Sequence, residues 1–480
     1  MKIGKYQELC KVCDHILMHD ASTLQITANN YLHVLNAHPE HLEKYELSKV
    51  DKIWLPVRFK LISIVRGLQS VFDKRHYYVK QAHTKSDILF VSHLTNEQQL
   101  LNDNDAYFGD LPNQLMGNNV SVSIALINHV KINKRKVLSG WRDSGIHRVV
   151  LSSSLGVLAE IKLYFSQNKS KKQFKILLKD LRIEKELAEG ALHHHLSPDT
   201  FNALRIAKQV RDIIRKTGAK YIITTYEGYA WERIVYYCAR KVSPDIKCFG
   251  YQHAAVFEYQ HAIKRPLSAK YSPDVIFTSG LIAKDIFGKV QLKNSKTVCL
   301  GSPKYSAPNL MIDKNQRCCL VVTEIFVKEC LSLFGLSRDY AKQSPDQKFI
   351  WRLHPVLKFE ELRGYSAIFE DLPDNIVLSE GSLEEDIQKC DSVLYRGSTA
   401  VVNAINKGLK PIYYQQSSDE LGIDPIYTHK KGKSIVHNRE DLGLALDQDI
   451  NAKTIQSLQD FAQDFYTSID VKALLKEIAR

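Results

Sequence analysis

The chain has 480 residues, 44% of them hydrophobic, so it exceeds one ordinary domain and is too rich in apolar residues for a disordered or fibrous protein. Lysine and arginine outnumber aspartate and glutamate by 66 to 53, and the net charge of +13 favours anionic partners such as nucleotides, phospholipid headgroups or nucleic acid. The nine cysteines show no disulfide framework, and no leader peptide or bilayer-spanning apolar run is present, which predicts a cytoplasmic protein that meets a membrane only from its surface.

In chain order, the spacing of apolar residues such as Leu17, Leu24, Tyr31 and Leu35 predicts a helical N-terminal segment over residues 1–82. From Asp87 onward, short buried strands alternate with helical stretches, which is typical of a mainly parallel sheet. We predict an α/β protein with two Rossmann-like domains facing a cleft. The predicted boundaries are 83–300 for the first domain, 301–451 for the second and 452–480 for a C-terminal helical tail.

Two strand ends of the first domain carry candidate site residues. The apolar run at residues 221–225 leads into Glu227 and Gly228, and the following helix begins with Trp231 and Glu232. The run at residues 248–251 ends in Gln252 and His253. Because ligands of doubly wound sheets bind beyond the carboxyl ends of the strands, we expect these side chains to line a shared cleft.

Two strand ends of the second domain complete the candidate site. The run at residues 348–353 ends at His354-Pro355, where proline restricts the residue before it to an extended conformation. The run at residues 392–395 turns through Gly397 into a helix with Ser398 or Thr399 as its N-cap. Free N–H groups, the helix dipole and two hydroxyls are suited to binding a phosphate.

Each signal also has a structural interpretation that is common in proteins. A serine or threonine before a helix is usually a cap, a strand-end histidine is more often structural than catalytic, and Glu227 has the setting of a solvated turn residue. Ser382 and Glu385 form a capping box rather than an acidic site. The run His193-His194-His195 is predicted to lie in a solvated loop.

Several activities lose their usual sequence support. The chain has no phosphate-binding loop, no dinucleotide fingerprint and no nucleophile elbow. An Asp-x-Asp motif that binds a nucleotide through a cation is missing from the strand ends, and Cys10-x-x-Cys13 lacks a second ligand pair. We therefore expect no metal site and no cofactor.

Glu227-Gly228, His354-Pro355 and Ser398-Thr399 resemble, in this order, the acidic-Gly, His-Pro and Ser-Ser/Thr motifs of GT-B glycosyltransferases that use CMP-activated keto-acid sugars. These are the sialyltransferases and Kdo transferases of bacterial surface polysaccharide assembly. The resemblance spans roughly residues 85 to 460. One departure is that Tyr226 stands where the sialyltransferase type has the first of two acids.

The resemblance implies a role for each matching residue. Glu227 is expected to deprotonate the acceptor hydroxyl, or to act as nucleophile in a retaining enzyme, and His354 to hydrogen-bond or protonate the leaving phosphate. The remaining expected donor-side residues are Arg352, Pro355, Gly397, Ser398 and Thr399. The remaining expected substrate-binding residues are Gly228, Trp231, Glu232, Gln252 and His253.

The expected partners are a CMP-sugar donor, a glycan or lipid-linked acceptor such as a growing surface polysaccharide, and an anionic membrane surface. A second hypothesis keeps the fold but assigns a CDP-polyol phosphate transferase or a UDP-sugar epimerase. A third is a non-enzymatic basic binding module, motivated by the runs Lys134-Arg135-Lys136 and Lys169-Ser170-Lys171-Lys172. Nucleic acid is not an expected partner, because aromatic residues are not interleaved with these basic runs.

Overall fold

The computed structural model describes residues 1–46, 54–55, 57–59, 61–62, 65, 77–78, 85–130, 137, 140–141, 145–290, 292–308 and 317–479. The basic run at residues 134–136 and most of residues 47–84 lie outside these ranges. The described residues form two α/β units, each built on its own sheet.

The first sheet has eight strands in the order β1-β4-β3-β2-β5-β6-β7-β8. Strand β1 is antiparallel to β4, and all other neighbours are parallel. The strands are β1 Tyr77–Tyr78, β2 Ile88–Leu94, β3 Val122–Asn128, β4 His147–Val150, β5 Tyr221–Thr225, β6 Lys247–Gln252, β7 Val275–Thr278 and β8 Lys296–Cys299.

The second sheet has six strands in the order β11-β10-β9-β12-β13-β14, and every neighbouring pair is parallel. The strands are β9 Cys318–Val322, β10 Lys348–Arg352, β11 Ile376–Leu378, β12 Ser392–Tyr395, β13 Lys410–Tyr414 and β14 Ser434–Val436.

Helices connect the strands and cover the sheets. Those before and within the first unit are α1 Ile3–Met18, α2 Leu24–Thr27, α3 Pro39–Leu42, α4 Leu111–Gly117, α5 Val157–Asp180, α6 Lys185–His194, α7 Pro198–Thr217, α8 Ala230–Val242 and α9 Leu281–Val290. Those that follow are α10 Val327–Ala341, α11 Phe359–Arg363, α12 Leu383–Gln388, α13 Ala400–Asn406, α14 Arg439–Asp447, α15 Ala452–Phe465 and α16 Val471–Ile478.

The central strands are apolar along their whole length because both of their faces are covered. In β2, Leu89 and Val91 belong to one hydrophobic cluster, whereas Ile88 and Phe90 belong to the cluster on the opposite face. The second sheet is also covered on both faces. In β9, Cys318 belongs to one hydrophobic cluster and Cys319 to the cluster on the opposite face. Helices on both faces of a parallel sheet define the Rossmann-like layering, so the predicted fold class is confirmed.

The N-terminal segment packs on the first unit and also reaches the second. Helix α1 buries Leu9, Cys13 and Ile16 in the same hydrophobic cluster as α7 and α8. Further along, the rings of His38 and His41 lie against Phe326, which precedes α10. The N-terminal segment therefore contacts both units.

The C-terminal helices divide between the two units. Helix α15 packs against α13 and buries Leu458 in the second unit. Helix α16 instead returns to the first unit, where Leu474 is buried and the hydroxyl of Tyr221 donates a hydrogen bond to the carbonyl of Ile478. The chain therefore passes between the two units twice, once between β8 and β9 and once between α15 and α16.

Within the described ranges, we find no helix that combines the length and the apolar character needed to cross a membrane.

Candidate active site

Glu227 lies in the turn between β5 and α8, at the carboxyl edge of the first sheet. Its carboxylate is half-buried and lies 3.4 Å from Nε2 of His253, which follows β6. Burial raises the pKa of Glu227 to about 7, although the positive charge of Lys304 opposes this rise. A carboxyl group with this pKa exchanges a proton readily near neutral pH.

Buried contacts fix the turn that presents Glu227. The carboxylate of Glu232 accepts hydrogen bonds from the backbone N–H groups of Glu227, Gly228 and Tyr229 at 2.7–3.1 Å. Gly228 has φ +91°, and a Cβ atom there would come within 2.4 Å of the backbone of Ala262. Glu232 and Gly228 therefore shape the turn from beneath, whereas Glu227 projects from it.

The same edge of the sheet carries three histidines and two aromatic rings that face one another. His93, near the end of β2, hydrogen-bonds His129 at 2.9 Å, and its other ring nitrogen lies 2.8 Å from the Thr225 hydroxyl. The ring of Trp231 contacts His93, and that of Tyr107 contacts both His93 and His253. Burial lowers the pKa of His93 to about 3 and that of His253 well below its ordinary value, so both imidazoles are neutral at pH 7.

A lysine from the connection between the two sheets affects candidate residues of both units electrostatically. Lys304 is exposed, its backbone N–H donates to the Ser302 hydroxyl at 3.1 Å, and its ammonium group lies 5.7 Å from the ring centre of Tyr466. Its charge lowers the pKa of Glu227 in the first unit and that of His354 in the second. The charge of Lys304 therefore affects one candidate residue in each unit.

His354 follows β10 and is half-buried at the carboxyl edge of the second sheet, next to the exposed Pro355. The N–H of Val356 donates to its Nδ1 at 3.3 Å. Burial, and then Lys304, lowers the pKa of His354, while Glu324 opposes the shift. The imidazole is therefore neutral at pH 7, with its proton on Nε2.

The start of α13 differs from the predicted capped helix. Thr399 occupies the N-cap position but its side chain accepts no hydrogen bond there, and Ser398 is buried. Gly397 is in contact with the carboxylate of Glu324, which a Cβ atom at this position would displace. An anionic side chain thus already lies beside the predicted phosphate position.

Two other predicted residues are occupied by contacts within the protein. A guanidinium nitrogen of Arg352 donates to Ser379, to the Gly381 carbonyl and to Asp386 at 2.7–2.9 Å. The side-chain oxygen of Gln252, which is buried, accepts from the Ser279 N–H at 3.1 Å. Both residues shape the loops behind the cleft.

Glu324 is held by an ion pair between the N-terminal segment and the second unit. Nε2 of His38 lies 3.2 Å from Glu324, and its Nδ1 lies 2.6 Å from Glu40. Burial alone would lower the pKa of His38, but hydrogen bonds to the two carboxylates raise it to about 9. The side chains of His38, Glu40 and Glu329 have atoms that could bind a metal ion within 4.8 Å of one another. Both carboxylates are already paired, however: Glu40 with the His38 imidazolium, and Glu329 with the Arg396 guanidinium at 3.0 Å.

The sequence reasoning missed His93, His129, Tyr107 and Lys304. A signal existed for His93 and His129, since each lies at or just after the end of an apolar strand, as His253 and His354 do. Lys304 has no such signal, because its place in the cleft depends on how the two units are arranged.

No protein-family model matches the chain, and no curated protein matches it. Solved structures with a similar fold include a glycosyltransferase of kitacinnamycin (TM-score 0.48, 11% identity, covering 82% of this chain and 99% of that one). A second is Acinetobacter baumannii MurG, with a TM-score of 0.46 and 10% identity, covering 82% of this chain and 99% of that one. A third is the UDP-GlcNAc 2-epimerase from Methanocaldococcus jannaschii, with a TM-score of 0.42 and 12% identity, covering 78% of this chain and 98% of that one. These similarities are too weak to support an activity, and the fold assignment rests on the strand order of the two sheets.

Proposed function

We propose that this protein is a glycosyltransferase that moves a keto-acid sugar, of the Kdo or nonulosonic acid type, from a CMP-activated donor to a bacterial surface glycan. The proposal is supported by two acid–base residues at strand ends: Glu227, 3.4 Å from His253, follows β5, and His354 follows β10 at the carboxyl edge of the second sheet. The positive charge of Lys304 lowers the pKa of both residues. Sugar transfer needs a base on the acceptor side and a stabilised leaving group on the donor side.

Glu227 serves as the base. With its pKa raised to about 7, the carboxylate is a stronger base than an exposed glutamate, yet a large share of it remains ionised at neutral pH. In the transfer step, the acceptor oxygen attacks the anomeric carbon, its proton passes to Glu227, and the bond from that carbon to the phosphate oxygen breaks. His253 adjoins this carboxylate and is neutral, so it orients Glu227 without neutralising its charge.

The leaving CMP is stabilised by Lys304 and by the Nε2–H of His354. Arg352 and Arg396, near the second-sheet edge, are already paired with carboxylates. The cavity beside His354 is also lined by the exposed cations Lys358 and Arg363, which are suited to a phosphate. These cations support a donor that carries phosphate, and our proposal assigns CMP as the leaving nucleotide and a reaction that needs no metal ion.

Cavities adjoin candidate residues of both units. One of about 370 Å³ lies beside His354 and is bounded by Phe359, Ser379 and Glu380, which suits a nucleoside. Another of about 300 Å³ is lined by Trp231, by the amides of Asn30 and Asn202, and by the charged side chains of Lys44 and Asp199. An aromatic face with amides around it is suited to a sugar of the acceptor, and Trp231 connects this cavity to the histidine cluster through its contact with His93.

The test compares Glu227→Gln with the parent protein on a panel of CMP-sugars, with CMP release and CMP affinity measured separately. We expect turnover to fall by at least about 100-fold, whereas CMP affinity by calorimetry stays within about twofold. Glu258→Gln, which changes an exposed carboxylate of the same unit, is the matched control and should retain full turnover. Normal turnover in Glu227→Gln contradicts the assigned base.

The histidine cluster supports a second candidate, a UDP-sugar epimerase, because it offers neutral proton carriers. His253 lies 3.4 Å from Glu227, His93 and His129 are hydrogen-bonded at the same edge of the sheet, and burial lowers the pKa of all three. Such an enzyme changes a UDP-sugar without any acceptor. Calorimetric titration with CMP, CDP and UDP, followed by nuclear magnetic resonance of the incubated UDP-sugars, separates the two. Tighter binding of UDP together with an epimerised product favours the epimerase, and tighter binding of CDP favours a polyol phosphate transferase.

A further inference from the structure

Helix α5 carries apolar side chains on its solvent-facing side. In its first half, Leu158 is 76% exposed, Ile161 is 47% exposed and Phe165 is 67% exposed. Ile176, 60% exposed, lies on the same side further along. The spacing of these four residues places them on one stripe of the helix.

Packing against the part of the chain that the structure describes does not explain this stripe. The opposite side of α5 is the one that joins the core, with Leu163, Phe174, Leu177 and Leu178 buried. A surface helix of a soluble protein normally exposes polar residues on its outer face. Several large apolar residues on an outer face mark a surface that meets an apolar partner.

The same helix is strongly basic. It contains six lysines, at positions 162, 169, 171, 172, 175 and 179, and two acidic residues, Glu160 and Asp180. Glu160 is paired with Arg205 of α7 at 2.9 Å, so its charge is compensated within the protein. Lys169, Lys172 and Lys179 lie on or beside the apolar stripe and are exposed.

The apolar end of α5 lies toward the cleft. Strand β4 is parallel to β3 and its neighbours, so Val150 ends at the same edge of the sheet as Thr225, next to Glu227. Six residues, 151–156, then connect this edge to the start of α5. Leu158 and Ile161 lie in the first turns of this helix, so a surface that binds this end lies at the same edge of the first sheet as Glu227, three strand positions away.

We propose that the outer face of α5 docks the protein on anionic phospholipid membranes, with Leu158, Ile161 and Phe165 inserted among the headgroups and the lysines paired with lipid phosphates. Apolar insertion combined with lysine attraction is what an interfacial helix requires. Nucleic acid would use the lysines but would leave the apolar side chains in water. The inference goes beyond the proposed transfer reaction and does not depend on it, because membrane binding needs neither donor nor acceptor.

The experiment is co-flotation of the full chain with vesicles of phosphatidylcholine alone or with 30% phosphatidylglycerol, at about 0.1 M salt. We expect the parent protein to float with the anionic vesicles and much less with the neutral ones. The double variant Leu158→Glu/Phe165→Glu should lose at least tenfold in bound fraction. Lys169→Glu/Lys172→Glu should lose binding to anionic vesicles, and raising the salt should weaken the parent in the same direction.

Two controls separate docking from misfolding and from charge alone. Leu444→Glu replaces an exposed leucine of the second unit, and Lys453→Glu/Lys472→Glu makes the same charge change on α15 and α16. Both should float like the parent, and all variants should unfold at similar temperatures. The proposal is overturned if the parent binds no vesicle, or if Leu158→Glu/Phe165→Glu binds vesicles normally. It is also overturned if a single-stranded oligonucleotide displaces the vesicles from the protein and the lysine variant, but not the apolar variant, fails to bind this oligonucleotide.

Discussion

His38 and Glu324 form an ion pair of 3.2 Å that joins the N-terminal segment to the second α/β unit. The same imidazole holds Glu40 at 2.6 Å and is almost completely buried. Through Glu324, which lies against Gly397, the N-terminal segment is therefore coupled to the wall of the cleft where the donor phosphate is expected.

Replacing His38 should destabilise the protein in a pH-dependent way. Its pKa is raised from 6.5 to about 9 in the folded state, so its charge stabilises the fold fully below pH 6.5, and this contribution is lost as the pH rises through 9. We expect His38→Gln to lower the free energy of unfolding by about 3 kcal/mol at most at pH 6, with the difference shrinking towards pH 9.5. Denaturant titrations at several pH values measure this, with the exposed His15→Gln as control. A difference that is constant with pH contradicts the ion-pair explanation.

Removing the charge of Lys304 should shift the pH profile of the reaction. Because this ammonium lowers the pKa of Glu227, Lys304→Met should raise that pKa above about 7. The rising acid limb of kcat/KM should then move to higher pH, so the loss of activity is larger at pH 6.5 than at pH 8.5. Lys304→Arg keeps the charge and should retain the parent profile, as should Lys289→Met at an exposed site. An unchanged acid limb in Lys304→Met would show that its charge does not reach the base.

His354 should contribute a hydrogen bond to the leaving phosphate through its Nε2–H. His354→Ala is expected to lower turnover by roughly 10² to 10³, and His354→Gln, which keeps an N–H donor, should recover part of the loss. Steady-state rates with a CMP-sugar measure both variants. His437→Ala, an exposed histidine of the same unit, should leave the rate unchanged. Near-normal turnover in His354→Ala removes this residue from the mechanism.

Gly228 should tolerate no side chain. Its φ of +91° and the nearby backbone of Ala262 make alanine both strained and crowded there. We expect Gly228→Ala to cost about 2 kcal/mol or more in stability, and to reduce activity by displacing Glu227. Gly335→Ala is the matched control: this glycine lies within α10 with no atom close to the added methyl group, so the variant should be as stable as the parent or more stable. Equal stability of both variants would contradict the structural argument.

The sheets were predictable because their central strands are continuous apolar runs between turn residues. Strands β5, β9 and β12 lie where the apolar pattern indicates, since a strand that is buried on both faces needs apolar residues at most of its positions. The capping box of Ser382 and Glu385 is also confirmed, because both of its hydrogen bonds are local to one helix turn.

The site was predictable only in part, because its charges come from distant parts of the chain. Glu227, His253 and His354 follow strands and were visible, but the ion pair of His38 with Glu324 joins residues 286 positions apart (324 − 38). The expectation of a solvated loop at residues 193–195 is wrong. His193 and His194 end helix α6, and His195 is fully buried next to Gln167, a residue that no local pattern connects to it.

Helix α16 has a consequence for synthesis of the protein on the ribosome. Leu474 completes the hydrophobic cluster that also contains Phe90 and Phe249 of the first sheet, more than two hundred residues earlier in the chain. The first unit therefore cannot reach its full native packing when its own strands have emerged, and it must wait until residues 471–478 are translated. During that interval the face of the first sheet that α16 later covers remains open, and this is the face that we expect a chaperone to shield.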